Sequence, residues 1–283
     1  MRHTDCEKEL SNELVARAQL FGAIEGGLSN WSREVFEKGA EKVIELCKAG
    51  EYKEDVSIIL KSNGHQVLEK LEELGIGFIV PGSQFDELPA PPIGLTFKGD
   101  IELLNHRSIA IVGTRNPTQY GAKVASEMAA NFVDREWAVV SGGAYGIDSA
   151  AHKGALIAEG ETIAVLASGL DIYYPAGNAR LFSAIEENGL LISEYMPGSK
   201  ALPFRFLNRN RIIAAIAEGT MVVEAAFRSG SLRTARDAAG INRKVMAIPG
   251  PINSPLSEGC HRLIGEGVAM ICTGVNDAIE LMR

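Results

Sequence analysis

From residue 107 onward the chain alternates. Short apolar runs at 109–112, 137–141, 162–167, 190–193, 220–224, 244–248 and 268–272 are separated, in most cases, by helix-length amphipathic segments such as 122–135, 148–158, 178–187, 208–217 and 231–239. Strands that alternate with helices pair through βαβ crossovers, so the pattern predicts a mainly parallel, doubly wound α/β sheet, with ligands at the strand C-ends. The first unit is the most informative: SIAIVGTRNPTQYG, from Ser108 to Gly121. Its β-branched run stops at Gly113, a polar loop carries Arg115, and a helical pattern begins after Gly121. Backbone N–H groups at a helix start, with a guanidinium beside them, make an anion site suited to phosphate.

The same grammar recurs. The run ending at 141 leads into Ser141-Gly142-Gly143-Ala144-Tyr145-Gly146-Ile147-Asp148, the run ending at 167 into Ser168-Gly169-Leu170-Asp171, and the run ending at 224 into Phe227-Arg228-Ser229-Gly230-Ser231. Glycine lets backbone approach a ligand closely. One such loop is an ordinary turn, but four at one edge of a sheet point to a surface that holds several phosphates. Ser229 or Ser231 suits the cap of the helix carrying Arg233 and Thr234. Asp148 reads as the N-cap of a helix starting at Ser149, His152 as a packed residue, and Lys153 as a phosphate contact. Asn208-Arg209-Asn210-Arg211 reads as the opening of a helix that ends near Ala217; cations there oppose the helix dipole, a conflict that a bound anion would resolve.

Composition adds limits. The net charge is −8, of which residues 1–100 carry −7 and residues 101–283 only −1. Residues 203–236 hold six arginines against two glutamates, a local +4 that suits either a polyanion surface or solvated helix charges. Four cysteines, Cys6, Cys47, Cys260 and Cys272, are far apart and form no CxxC pair, so neither a zinc site nor a disulfide framework is expected and a reducing cytoplasm is the default. No apolar run approaches the roughly 20 residues of a membrane span, and MRHTDCEKEL has no signal-peptide core. Residues 1–80 read as short helices with stripes at Leu14–Phe21, Val35–Cys47, Val56–Leu60 and Val67–Leu74; residues 81–106, with four of the eleven prolines, read as a connector and the start of the α/β domain, which fills 107–283.

Catalytic signatures are missing: there is no GxSxG, HExxH or GxxxxGK[ST], and the loop after Gly113 is not GxGxxG. No catalytic residue, metal or cofactor is expected. The segments IVGTRNPTQYG, VVSGGAYGIDSAAHKGAL, TIAVLASGLDIYYPAGNARL, ISEYMPG, FRFLNRNRIIAAIAEGTMVVEAAFRSGSLRTARDA and VMAIPGPINSPLSEGCHRLIGEGVAMI resemble, in order, the DNA-processing protein A family (DprA, also called Smf) over about residues 75–272. The resemblance implies an extended Rossmann-like fold preceded by a SAM-like helical domain, single-stranded DNA binding without catalysis, a homodimer, and help in loading the recombinase RecA during natural transformation. Carried over by residue, the DNA pocket comprises Arg115, Ser141, Gly142, Gly143, Lys153, Asn208, Arg209, Arg211, Ser229, Gly230 and Ser231. Phe204, Phe206, Tyr174 and Phe227 are candidates for base stacking. Leu263, Ile264 and Met270 are candidates for the dimer interface, with Val268 and Ile271 read as core. Many members continue into a winged-helix-like domain, whereas this sequence stops at Arg283. Two competing readings use the same glycine loops: a nucleotide-binding or nucleotide-processing enzyme of the lysine-decarboxylase-like Rossmann group, whose PGGxGT loop is here FRSGSLRTARD, and a small-nucleotide sensor.

Overall fold

A computed structural model describes residues 3–283, the side chains of 3–11 and 29 excepted. Its centre is a nine-stranded sheet: β1 (Gly77–Ile79), β2 (Leu95–Gly99), β3 (Ser108–Val112), β4 (Ala138–Ser141), β5 (Thr162–Leu166), β6 (Leu190–Ser193), β7 (Gly219–Val222), β8 (Lys244–Ala247) and β9 (Met270–Ile271). The order is β1-β2-β6-β5-β4-β3-β7-β8-β9. From β6 through to β9 every pairing is parallel; β2 joins β6, and β1 joins β2, antiparallel. The chain therefore winds outward from β3 in one direction, returns, and winds outward from β7 in the other. The order reverses between β3 and β7, and in open α/β sheets ligands bind at that reversal, outside the strand C-ends.

All seven apolar runs contain strands; β3 to β7 are buried along their whole length, as a parallel sheet requires, while β8 starts at an exposed Lys244 and β9 lies exposed at the sheet's edge. Alternation within a strand assigns each side chain to a layer. Ala110 and Val112 of β3 join one core, with Ile212–Ala217 and Leu232; Ile109 and Ile111 join the opposite core, with Ala125, Met128, Phe132 and Ala151. The first layer holds α9 (Pro203–Ile216), α10 (Ser231–Gly240) and α11 (Glu258–Gly265); the second holds α6 (Gln119–Val133), α7 (Ile147–Ile157) and α12 (Val275–Met282). On the same side as the second, α8 (Ala179–Asn188) meets residues of the N-terminal helices, as Phe182 and Ile185 share a cluster with Ala18, Val67 and Leu71.

Those helices number five: α1 (His3–Ala23), α2 (Ser29–Lys38), α3 (Ala40–Ala49), α4 (Ser57–Lys61) and α5 (Gly64–Glu73). The stripe from Val35 to Cys47 belongs to two of them, broken at Gly39, whose φ of +82° is open to glycine and strained for other residues. The connector is more structured than its prolines suggest. It contributes β2, and Gly77–Ile79, grouped with the helices by pattern, is the sheet's edge strand β1. Three residues between Gly75 and Pro81 are too few to show a period. Among the described residues no helix is long and apolar enough to cross a membrane, and no cluster of His, Cys, Asp or Glu could hold a metal. Cys47, Cys260 and Cys272 are free and buried; the side chain of Cys6 lies outside the described residues.

One expected interface residue is misplaced. Leu263 of α11 is fully buried in the core and cannot face a partner, while Ile264 is half-buried against that same core. The apolar period of α11 points Leu263 inward, beside Cys260. Met270 and Ile271 are exposed at 36% and 54%, so Ile271, read as core, lies at the surface of the edge strand. Leu263→Arg would put an unpaired charge into the core at a cost on the order of 4–5 kcal/mol. Urea denaturation should show a variant that is largely unfolded; a folded variant would contradict this placement.

Candidate nucleic-acid interface

A cleft of about 470 Å3 lies where the strand order reverses, lined by the loops after β3, β4 and β7 and by one face of α9. That helix begins at Pro203, a residue whose fixed φ suits the first helical position. Asn208-Arg209-Asn210-Arg211 therefore sits in its interior and not at its start, so the dipole conflict expected there does not arise. Instead the helical period sorts the segment. Phe206, Arg209, Asn210 and Ile213 line the cleft. Arg205, Asn208 and Arg211, three residues apart, point elsewhere.

Arg209 anchors the cleft. It is 4% exposed, its Nη1 donates to the Val165 carbonyl at 2.7 Å, and its Nε donates to Asn210 Oδ1 at 3.1 Å. Asn210 Nδ2 in turn donates to the Gly230 carbonyl at 3.3 Å, tying α9 to the loop before α10. Gly142 makes this possible, since a Cβ there would land on the Arg209 guanidinium. Asp148 is buried nearby and accepts from the Ala144 amide. Burial pushes its carboxyl above the usual range, against the pull of Arg209 and of the Ala144 and Gly142 amides. Asp148 is the second residue of α7, whose N-cap is Gly146, so its function as a cap is replaced by one within the loop. Gly146, at φ +84°, has no room for a Cβ beneath the Thr114 and Arg115 carbonyls.

Arg115 is exposed, and its guanidinium lies 4.9 Å from the centre of the Phe206 ring; that of Arg209 lies 5.8 Å from the same ring. Tyr174 meets Phe206 edge-on, with centroids 5.7 Å apart. Two cations thus lie within 6 Å of the centre of one aromatic ring at a cleft wall, and the Ser229–Ser231 turn lines the same cleft. Within that turn the two serine hydroxyls are 2.8 Å apart and the Ser231 amide donates to Ser229 Oγ.

The helix start that a dinucleotide would use is already taken. The Glu224 carboxylate, at the end of β7, accepts from the Thr118 amide at 2.9 Å and from Thr118 Oγ1 at 2.6 Å, while Thr118 caps α6 through the Gly121 amide. Any side chain at Gly121 would strike Glu224. A carboxylate of the protein itself thus neutralises the α6 N-terminus, and the loop bearing Arg115 hangs from it.

The other expected residues shape the cleft or leave it. Ser141 is buried, its hydroxyl donating to the Ile111 carbonyl. Gly143, at φ +66°, lies against Phe182 and accepts from Asn178. Lys153 is exposed on α7 but is not among the lining residues. Asn208 and Arg211 belong to a different contact. Asn208 Nδ2 donates to the Gly26 carbonyl at 3.4 Å; Arg211 Nη2 meets both Glu194 oxygens at 2.6 Å; Glu194 also accepts from the Gly27 amide. Arg205 adds a two-pronged pair to Glu25 at 2.6 and 2.8 Å. These three residues bind α9 to the loop that follows α1. Of the stacking candidates, Phe204 and Phe227 are exposed away from the cleft lining. His152 is buried, and burial and Arg209 push it down to about 3, so it stays neutral. Since Thr162 Oγ1 gives its proton to the Val139 carbonyl, His152 Nδ1 carries the proton between them, a packed residue as expected. Glu224 and the place of Asp148 beside Arg209 were not expected from the sequence; an acid just past a strand end, beside an anion site, was the signal for Glu224.

The profile of the DNA recombination-mediator protein A family matches residues 81–283. The chain belongs to that family. A DNA processing protein DprA of Streptococcus pneumoniae is 45% identical over 188 residues, 66% of this chain and 66% of its own length. A DprA relative from Mycobacterium tuberculosis is 49% identical over 176 residues, 62% of this chain, and the chain spans about half of that relative, 45%. The X-ray structure of the pneumococcal DprA aligns with a TM-score of 0.82 at 32% identity, over 95% of this chain and 97% of that one. A Helicobacter pylori DNA processing protein A, solved for its single-stranded DNA binding mode, aligns with a TM-score of 0.68 at 31% identity, over 72% and 94%.

The placement of Arg211 has a consequence for stability. Glu194→Ala leaves its guanidinium buried without a counter-charge, which costs roughly 3–5 kcal/mol. The melting temperature should fall steeply, and so should that of Arg211→Ala. A Glu194→Ala variant as stable as the parent would mean that the pair does not hold α9 to the N-terminal helices.

Proposed function

We propose that this protein is a single-stranded DNA-binding recombination mediator that takes up strand backbone and bases in the cleft at the β3/β7 reversal, without catalysing a reaction on them. The carrying observation is the Phe206 ring with the Arg115 and Arg209 guanidinium groups both within 6 Å of its centre and Tyr174 packed edge-on against it. Stacking on a ring needs an unpaired base, and neighbouring cations supply phosphate neutralisation that does not depend on sequence. A volume of about 470 Å3 is on the scale of a nucleotide and far below that of a duplex. Glu224 speaks against a free nucleotide or dinucleotide, because its carboxylate holds the helix start where such a phosphate would sit. Family membership and the Helicobacter pylori relative support the same reading. In this proposal the protein works in the cytoplasm on strands entering recombination, and passes them to RecA, including during natural transformation.

Arg115 is exposed in a loop, so Arg115→Ala should leave the melting temperature unchanged. A charge-assisted contact is worth roughly 1.5–3 kcal/mol, so single-strand affinity should fall about ten- to a hundredfold. The parent should prefer single strands to duplex, and log affinity should fall with log salt by about 0.7 for each phosphate contacted. Equal affinity for duplex, a flat salt response, or an unchanged Arg115→Ala would refute the assignment.

Self-association is part of the proposal, at a corrected surface. Strand β9 ends the sheet with its outer edge unpaired, and Met270 and Ile271 are exposed there. An open apolar edge invites pairing with a second copy, which would place two clefts on one particle and raise affinity for long strands. Met270→Arg should sediment as a folded monomer with weaker hold on long oligonucleotides; a monomeric parent, or a dimeric variant, would count against this edge.

A further inference from the structure

Phe227 is an exposed aromatic outside the main cleft, and the fold builds its position. The Ser229 amide donates to the Ala226 carbonyl at 2.9 Å. That bond closes a β-turn whose two central residues are Phe227 and Arg228, both exposed. Helix α11 braces the turn. The Gly259 amide donates to the Ala225 carbonyl at 2.8 Å, and a Cβ on Gly259 would come 2.6 Å from that same oxygen. Glycine in the first turn of α11 thus lets the helix approach closely. Three residues further along it, the Arg262 guanidinium lies 4.4 Å from the centre of the Phe227 ring. Phe227 belongs to none of the apolar clusters among the described residues, and 38% of it stays exposed beside that guanidinium.

The wall of the main cleft carries the same pairing, with Arg115 at 4.9 Å from the centre of the Phe206 ring. One loop joins the two pairs. Ser229, Gly230 and Ser231 line the cleft. Two residues of chain span at most about 7 Å, so Phe227 begins no farther than that from the cleft wall, the scale of one nucleotide step in an extended strand. The charges nearby suit a polyanion. Arg262 and Arg236 share a single carboxylate, Glu266, at 2.6 and 3.2 Å. No ion pair or side-chain hydrogen bond among the described residues engages Arg228. These four groups carry three positive charges and one negative.

We propose that Phe227 and Arg262 form a second base platform: the strand leaving the main cleft crosses the loop before α10, stacks one base on this pair, and sets its flanking phosphates against Arg228 and Arg236. The proposal rests on the reading of the main cleft as a single-strand site. Bases stack on aromatic rings and on guanidinium planes alike, whatever their sequence. The occupant is the strand itself because the platform continues the cleft wall and carries excess positive charge. The path then runs from α9 past α10 to α11, and Glu266 holds two of its arginines in place.

Phe227→Ala and Phe227→Trp test it. The ring lies outside the core, so both variants should melt as the parent does. Binding is measured with oligothymidylates of increasing length, and with the same strands bearing abasic sites in place of their bases outside the stretch that fills the main cleft. Short strands that occupy the main cleft alone should bind Phe227→Ala and the parent alike. Long strands should bind Phe227→Ala about tenfold more weakly, a loss on the scale of one stacked base, and the abasic strands should bind both equally. Phe227→Trp should keep parental affinity, and its added fluorescence should be quenched by long strands and not by short ones. Parental affinity of Phe227→Ala for long strands would overturn the proposal. So would an equal loss on abasic strands, which would mean that no base stacks there, or an indole that long strands leave unquenched. Arg115→Ala serves as the control, since it should weaken short and long strands together. A parent with no affinity for any single strand, or short strands indifferent to Arg115→Ala, would instead overturn the main-cleft reading, and this one with it.

Discussion

The architecture of the cleft depends on a buried guanidinium. Arg209 sits at the C-ends of the central strands, fixed by the Val165 carbonyl and by Asn210. An arginine is not deprotonated in proteins, so burying it demands compensation on every side. Gly142 is glycine because the guanidinium fills the space of its side chain. Asp148 is buried near enough for Arg209 to draw its carboxyl down against the larger effect of burial, and Asn210 extends the tether to the loop before α10. With Arg209 fixed, Phe206, one turn earlier on α9, holds its ring near both Arg209 and Arg115. The cleft wall is thus preorganised, and little ordering entropy need be lost when a ligand arrives.

Helix α9 performs two tasks because its period divides its side chains. One face makes the cleft wall. The next, through Arg205, Asn208 and Arg211, ties the helix to Glu25, Gly26 and Glu194. Glu194 is buried, and burial raises its carboxyl while Arg211 and the Gly27 amide draw it down. The segment after α1 is therefore joined to the helix that lines the cleft by the Arg205–Glu25 pair and, through Glu194, by Arg211. Any shift of α9 would be felt on both sides.

The sheet was readable because burial on both faces turns the central parallel strands into uninterrupted apolar runs, and because glycines follow closely after β3 and β4. The edge was not. Strand β1 is three residues long and β2 pairs antiparallel, so neither has a period or a crossover to betray it. The site was readable as a set of loops and arginines but not as a geometry. In FRFLNRNRII the segment looks uniformly basic; only the position of Pro203 as the first helical residue fixes the phase that sends Arg209 to the cleft and Arg211 away from it. Leu263 shows the same limit: its apolar character suits a core and an interface equally, and the phase of α11 decides. Glu224 was invisible as a partner of Thr118 because the two are 106 residues apart and meet only through the β3–β7 pairing.

The central claim is that unpaired bases stack on the Phe206 ring beside Arg115 and Arg209. Photocrosslinking with an oligonucleotide carrying iodinated uracil, followed by mass spectrometry of the digested protein, reads that contact directly. The account predicts adducts on Phe206 and Tyr174 that disappear when unlabelled single strand competes and persist when a mononucleotide is added instead. Specific binding with adducts confined to other surfaces, or adducts at Phe206 that a mononucleotide removes as readily as a strand does, would contradict it.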